Sequence, residues 1–446
     1  MIKSQQLAWY PSLKPIPTNR SSILSIIDIG SSKIACAILK LKPLDERGLH
    51  PLMTHDVEIL GLSVHKSEGV KAGHITNVSA AKYAIQSAIA EAEKQARMNI
   101  QKALIVTTAG RIGSETFAAS HTLSQFQISA DDIDQLVVAG RRFSVEPTRL
   151  ALHAHTLGYQ IDGAISVDDP LGMVGEKLEL NMHLATADVV AMRNLIFAAE
   201  SSHIRVQGLV SAPFASGLAT LTAEDHEHGA LVVDCGADTT SFAVFKSGRM
   251  QYVSSVAVGG RNITRDLSRV FTLDFEDAER LKVIHGSAYF AAHERDELVT
   301  CKIENGIENQ DTSDKSVYRS ELNQVIEARV TEIFELVRKS LNEAGFPKGM
   351  PAITILTGGA SRLTNIADVV ERTLQTTVKS ADLINFDKLT AENNGAIFSA
   401  IAGASVFAQQ AGEDYALDPL PMPEEEIKKA SEGYFARVGR WLKESF

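Results

Sequence analysis

Apolar, β-branched runs at Ile23–Ile29 and Ile34–Leu41 flank the segment Asp28-Ile29-Gly30-Ser31-Ser32-Lys33, a pattern that predicts a hairpin with a tight Gly/Ser turn. Helical spacing of Ala, Ile, Glu and Lys follows from Val78 to Met98, with Thr76-Asn77 placed to cap it. From Ala103 the elements shorten: a strand at Ala103–Thr108, a helix from Asp131 to about Phe143, and strands around His153–Ile161 and Lys177–Leu184. That stretch predicts a small α+β insertion. Strand and helix alternation resumes at Ala187. The hairpin pattern then recurs, with strands Ala230–Val233 and Ser241–Phe245 around the turn Asp234–Thr240. Helices are predicted at Ala278–Ile284, Glu321–Ala344 and Ile366–Leu374, and a buried strand at Ala352–Thr357 ends in Gly358-Gly359.

Two Asp-x-Gly turns, each after an apolar strand and about two hundred residues apart, point to an α/β fold duplicated into two facing halves. A chain of 446 residues has room for this. The composition, 44% hydrophobic and 22% charged, is that of a globular protein. The net charge of -11 argues against nucleic acid as a partner, because neutralising phosphates needs a concentrated excess of Lys and Arg. Cys36, Cys235 and Cys301 show no metal-ligand spacing and are expected to be free thiols. The polar, proline-containing start lacks a signal-peptide core, and no apolar run reaches the roughly 18 residues of a membrane span, so membrane contact is expected to be peripheral.

A phosphate chain held between two hairpin turns needs backbone N–H groups that approach it closely, hence small residues. Gly30, Ser31 and Ser32 supply them in the first turn; Gly236, Ala237, Thr239 and Thr240 supply them in the second. Asp28 and Asp234 end their strands at corresponding places, where carboxylates could hold the waters of a phosphate-bound Mg²⁺. Lys33 adds a point charge. Gly259 and Gly260 are further cofactor-binding candidates, and Gly358-Gly359-Ala360 provides a bend that could pass flat under a purine. Glu279 and Lys282, three apart on one helix, could reach a ribose or adenine edge; by spacing alone they fit an exposed ion pair first. No P-loop and no G-x-G-x-x-G occurs, and His226 and His228 are expected to be solvated loop residues.

These turns, in this order, resemble the actin, Hsp70 and sugar-kinase superfamily, and within it the FtsA family of bacterial cell-division proteins. The run Asp169-Pro170-Leu171-Gly172-Met173-Val174-Gly175-Glu176-Lys177-Leu178-Glu179, with His183 and Thr186, looks like the segment closing the subdomain peculiar to that family. Gly69–Asn77 resembles the entry to its first long helix, and Glu279–Lys282 with His285-Gly286 its adenosine-side helix. The resemblance implies an actin-like duplicated ATPase fold, with two lobes around a nucleotide cleft. Lobe 1 would comprise 23–102, 187–214 and 385–408, the inserted subdomain 103–186, and lobe 2 215–384. It implies ATP and Mg²⁺ as ligands, self-association into filaments, and a role tethering FtsZ to the membrane among downstream divisome proteins. Two departures stand out. Asp238 replaces a small residue in the second turn, which puts a negative charge beside the phosphates and predicts weaker ATP binding or altered metal geometry. Ala212-Pro213-Phe214-Ala215-Ser216 carries no Gln or Asp to orient an attacking water, so slow or negligible hydrolysis is expected.

The ends complete the division. Residues 1–22 form an expected flexible segment and 409–431 a Pro- and Glu-rich linker. In 432–446, Tyr434, Phe435, Val438, Trp441, Leu442 and Phe446 fall within an arc of about 140° on a helical wheel. Arg437, Arg440 and Lys443 lie opposite them. A helix of this kind suits an anionic bilayer on the cytoplasmic side of the inner membrane; the other reading docks it on the protein's own core. A small-molecule kinase and a pilus-assembly adaptor of related fold are the alternatives. The first lacks an identifiable catalytic carboxylate, and the run at 169–179 disfavours the second.

Overall fold

A computed structural model of the chain describes residues 13–14, 16–44, 52–140, 145–289, 297–301, 315–383, 386 and 395–410. The expected C-terminal linker and membrane segment, with the candidates from Tyr434 to Phe446, lie outside the described residues, as do residues 1–12 and most of 384–394.

The chain begins with β1 (Ser22–Ile29), β2 (Lys33–Pro43) and β3 (His55–Lys66), continues through the two-residue strands β4 (Val70–Lys71) and β5 (His74–Ile75) into α1 (Val78–Ala96), and returns in β6 (Lys102–Thr107). The Asn77 side chain accepts the Ala80 N–H at 3.0 Å and so caps α1, as its position predicted. An inserted unit then forms its own sheet from β7 (Gly113–Thr122), β8 (Arg149–Ile161), β9 (Ile165–Val167) and β10 (Lys177–Asp188), covered by α2 (Ala130–Gly140). After it come α3 (Val189–Glu200), β11 (Arg205–Ser211), α4 (Ala212–Thr220) and α5 (Ala223–His228). The second half consists of β12 (Ala230–Cys235), β13 (Thr240–Lys246), β14 (Arg249–Val256), α6 (Gly260–Phe271), α7 (Phe275–His285), β15 (Leu298–Cys301), β16 (Lys315–Tyr318), α8 (Arg319–Glu343), β17 (Ile353–Thr357), α9 (Ile366–Leu374), β18 (Thr377–Lys379) and α10 (Gly395–Gln409).

Two five-stranded sheets share one topology. The first runs β3-β2-β1-β6-β11 and the second β14-β13-β12-β17-β18. In each, the strand whose next-to-last residue is aspartate is central, antiparallel to its hairpin partner and parallel to the strand on its other side. Alternation along β12 and β13 divides their side chains between two cores. Ala230, Val232, Ala243 and Phe245 face the first, while Leu231, Val233, Phe242 and Val244 face the second. Between the sheets lie α4 and α10, packed so closely that a Cβ on Gly403 would stand 1.5 Å from the Ala215 carbonyl oxygen. Every residue of α4 is buried. The run 212–220, apolar but for Ser216 and Thr220, is therefore a helix enclosed on all sides.

Several expected boundaries move. The strand at 102–107 pairs with β1 and β11 in the first sheet, so the inserted unit begins near Gly113 and not at 103. Placing a lobe boundary at 214 would cut through α4, which is one continuous helix. Leu13 is 5% exposed and packs over Gly208, so the flexible segment expected for 1–22 does not extend over that residue. Sequence patterning also left out β3, whose alternation is irregular, yet it pairs along the whole of β2. His226 and His228 are on α5, not in a solvated loop, and His226 is buried edge-on against Phe245.

Candidate functional site

The two hairpin turns are built alike. Gly30 N–H donates to the Lys33 carbonyl at 3.1 Å, and Gly236 N–H to the Thr239 carbonyl at 2.9 Å. A Cβ at Gly30 or Gly236 would approach those same carbonyl oxygens to 2.9 and 2.7 Å. Glycine is thus needed in both turns for one reason, the closeness of the returning backbone. Behind the second turn, Gly260 N–H donates to Gly236 O at 3.0 Å and Arg261 N–H to Ala237 O at 2.7 Å. Gly259 has no room for a side chain against Gly236 O, and a Cβ on Gly260 would meet Ala360 at 2.9 Å. Both glycines therefore anchor α6 to the second turn and to the Gly-Gly bend.

That bend follows β17. Gly358 has φ +83°, a region costly for other residues, and any Cβ there would lie 2.3 Å from Asp234 Oδ1. Its N–H donates to the Ala396 carbonyl of α10 at 2.8 Å, and its carbonyl accepts the Ser361 hydroxyl at 2.7 Å. Gly359 has open space around it. The three bends thus lie beside one another, Gly358 against Asp234, Gly260 against Gly236 and Ala360, and Arg261 bonded to the Ser31 carbonyl, and frame a candidate cleft between the lobes.

Asp28, Asp234 and Lys33 form the cleft floor. Burial raises the Asp28 carboxyl to about 6, with Lys33 pulling it back down. Asp234 is pushed up to about 7 by burial and by the charge of Asp28, against the attraction of Lys33. Burial lowers the Lys33 ammonium, opposed by both aspartates. Its Nζ donates to Ile397 O at 3.2 Å and stands 5.2 Å from the Phe398 ring centroid. Two mutually repelling carboxylates with one ammonium are a donor set suited to a hydrated divalent cation and a phosphate. Among the described residues no group of three or more His, Cys, Asp or Glu could hold a metal, so any ion would complete its coordination with water and ligand.

Lys282 is in the cleft and not at the surface. Its Nζ donates to Gly260 O at 3.2 Å, to Thr264 Oγ1 at 2.8 Å and to Glu279 Oε2 at 2.7 Å. Glu279 also accepts the Thr264 hydroxyl. Burial lowers the Lys282 ammonium, with Glu279 opposing the shift and the Arg261 charge adding to it. The exposed ion pair suggested by spacing is therefore a partly buried polar cluster beside Gly260. Thr240 points away from the cleft, its hydroxyl donating to Val258 O at 2.9 Å. Ser31 Oγ accepts Gly73 N–H at 3.1 Å, and the Ser32 carbonyl accepts Ser67 N–H at 3.0 Å. Ala237 lies partly exposed at the turn and Thr239 Oγ1 is 3.4 Å from Thr108 Oγ1 across the cleft.

Asp238 does not aim a bare charge at the cleft. Its Oδ2 accepts Arg261 Nη1 at 2.8 Å and Ala72 N–H at 3.1 Å, and Arg265 Nη2 is 4.0 Å from Oδ1. Arg261 and Thr264 escaped the motif-based reading; the signal available was an arginine directly after Gly259-Gly260.

Two five-stranded sheets of one topology, each with an aspartate next to last in its central strand, define an actin-like fold. Solved structures agree: the PilM-PilN type IV pilus biogenesis complex matches with a TM-score of 0.56 at 16% identity, covering 88% of this chain and 98% of that one. MreB5 of Spiroplasma citri bound to ADP matches with a TM-score of 0.50 at 12% identity, covering 88% and 98%. Sequence relatives narrow the class. Cell division protein FtsA of Agrobacterium fabrum is 35% identical over 447 residues, 98% of each chain, and that of Escherichia coli is 25% identical over 436 residues, 96% of this chain and 99% of that one. The family model for cell division protein FtsA matches residues 231–403, and that for the SHS2 domain inserted in FtsA matches 109–186. The chain belongs to the FtsA family of bacterial cell-division proteins.

Within the inserted unit, the run at 169–179 closes the sheet against the 126–128 segment. Gly172 N–H donates to Ile128 O and Gly175 N–H to Phe126 O, both at 2.9 Å. Asp162 Oδ1 accepts the N–H groups of Glu176 and Lys177 at 2.9 and 2.8 Å.

Proposed function

We propose that this chain binds ATP with Mg²⁺ between its lobes. In that form it assembles into filaments on the cytoplasmic face of the inner membrane, tethers FtsZ there and meets downstream divisome proteins at the division site. What supports the reading is that both Asp-x-Gly turns and the Gly-Gly bend lie side by side, with Asp28, Asp234 and Lys33 close enough to shift one another's charge. Asp28 and Asp234 would hold the metal through water, and the metal would screen the phosphate charge. Turn amides would face the phosphates, Gly358 to Ala360 the purine, and Glu279 with Lys282 the ribose or adenine edge. At most weak hydrolysis is expected. Ser216, midway along α4, is bonded to Ser399, and His153 accepts the Ser211 N–H at 3.0 Å from within an aromatic cluster, so neither is presented as a base.

Calorimetric titration tests the cleft. Asp28→Ala and Gly358→Arg should each weaken ATP binding at least about tenfold, the second by filling the space beside Asp234. Wild-type affinity in both variants would displace the site. For the tail, deleting Gly433–Phe446 should move the protein from anionic liposomes into the supernatant; unchanged co-sedimentation would remove the membrane role from that helix.

A further inference from the structure

Polar contacts between the lobes are concentrated where the two turns face each other. Arg261, at the start of α6, donates from Nη1 to Asp238 of the second turn and from Nη2 to the Ser31 carbonyl of the first, at 2.8 and 2.9 Å. The guanidinium therefore spans the gap between the turns. Asp238, 5% exposed, is in turn fixed by the Ala72 N–H of the β4–β5 turn, whose next residue, Gly73, donates to Ser31 Oγ. Arg265 faces the same carboxylate. Two arginines on one carboxylate leave this corner with a net positive charge, and one guanidinium edge rests on a neutral carbonyl.

A phosphate oxygen is a stronger acceptor for guanidinium than a peptide carbonyl, and it takes two parallel N–H bonds. We infer that Arg261 is the residue by which this cleft distinguishes a nucleoside triphosphate from a diphosphate. On this assignment the terminal phosphate replaces Ser31 O as the acceptor for Nη2, while Asp238 keeps Nη1 and aims the group. Asp238 then acts as a positioning residue and not as a repulsive charge. The inference rests on the cleft being the ATP site.

The test is calorimetry of the full-length protein with Mg·ATP and, separately, Mg·ADP. Arg261→Ala should weaken ATP binding about tenfold or more, the worth of one charge-assisted contact, and ADP binding by less than about threefold. Since that variant takes from Asp238 its 2.8 Å partner and leaves it only the Ala72 N–H and the more distant Arg265, the double variant Asp238→Ala with Arg261→Ala is measured beside it and should show the same lost preference. Equal losses for ATP and ADP would make Arg261 a lobe clamp without phosphate contact and overturn the inference. So would a double variant that regains the wild-type ATP-to-ADP ratio, because the carboxylate deprived of Arg261 would then be the cause. If the wild type binds neither nucleotide, the cleft assignment itself fails, a result distinct from both.

Discussion

Replacing Asp234 by asparagine tests the electrostatics of the cleft floor without any ligand. In the unfolded chain this carboxyl titrates near 3.8, and in the folded chain at about 7. A raised folded value means that the native state keeps a proton the unfolded chain has already released. The stability tied to that proton is complete below pH 3.8 and is lost as the pH rises toward 7. At about 1.4 kcal/mol for each pKa unit, the native state at pH 8 bears at most about 4 kcal/mol from this one group. Asparagine removes that cost. It also takes one of two aspartate partners from Lys33, which returns part of the gain. Because burial is the leading cause at Asp234 and Lys33 the lesser opposing one, the net effect should be stabilising, by about 2 kcal/mol at pH 8. Thermal unfolding without nucleotide should show Asp234→Asn melting about 2 °C above the wild type at pH 8, at about 1 °C for each kcal/mol if the chain unfolds as one unit, and more if lobe 2 melts alone. At pH 5 the gap should fall to under half. A variant equal to or less stable than the wild type at pH 8, or a gap that does not change with pH, would refute the reasoning.

Other perturbations follow from single contacts. Gly403→Val should separate α4 from α10, whose backbones touch at Ala215; a loss above about 3 kcal/mol or insoluble protein is expected on chemical denaturation, and wild-type stability would contradict the packing. Ser114 joins the inserted unit to lobe 2, its hydroxyl donating to Val253 O at 2.9 Å while accepting Val253 N–H at 2.6 Å and facing His183 Nε2 at 2.8 Å. Ser114→Val should cost about 2 kcal/mol, read from the denaturant midpoint. Burial holds His183 down at about 3, so it stays neutral and this loss should be the same at pH 6 and pH 8.

Much of this architecture was legible along the chain because it is local. Apolar, β-branched runs marked β1, β2, β12 and β13, Asn77 announced α1, and each Asp-x-Gly turn was marked by its small residues, whose glycine the folded hairpin needs because of a carbonyl three residues away. Two such turns sufficed to infer a duplicated fold, since a repeated local pattern implies a repeated supersecondary unit. The tertiary structure alone decided what depends on partners distant in sequence. Strand 102–107 belongs to the first sheet because β1 and β11 accept it, although its own pattern suits either unit. Asp238 looked like a charge aimed at phosphate; Arg261, 23 residues on, turns it into half of an ion pair. Lys282 left the surface because Gly260 and Thr264 await it in the cleft. Residue type and spacing determine which backbone conformations and charges a segment can offer, but whether a charge is exposed, paired or poised toward a ligand is set by through-space neighbours that only folding assembles.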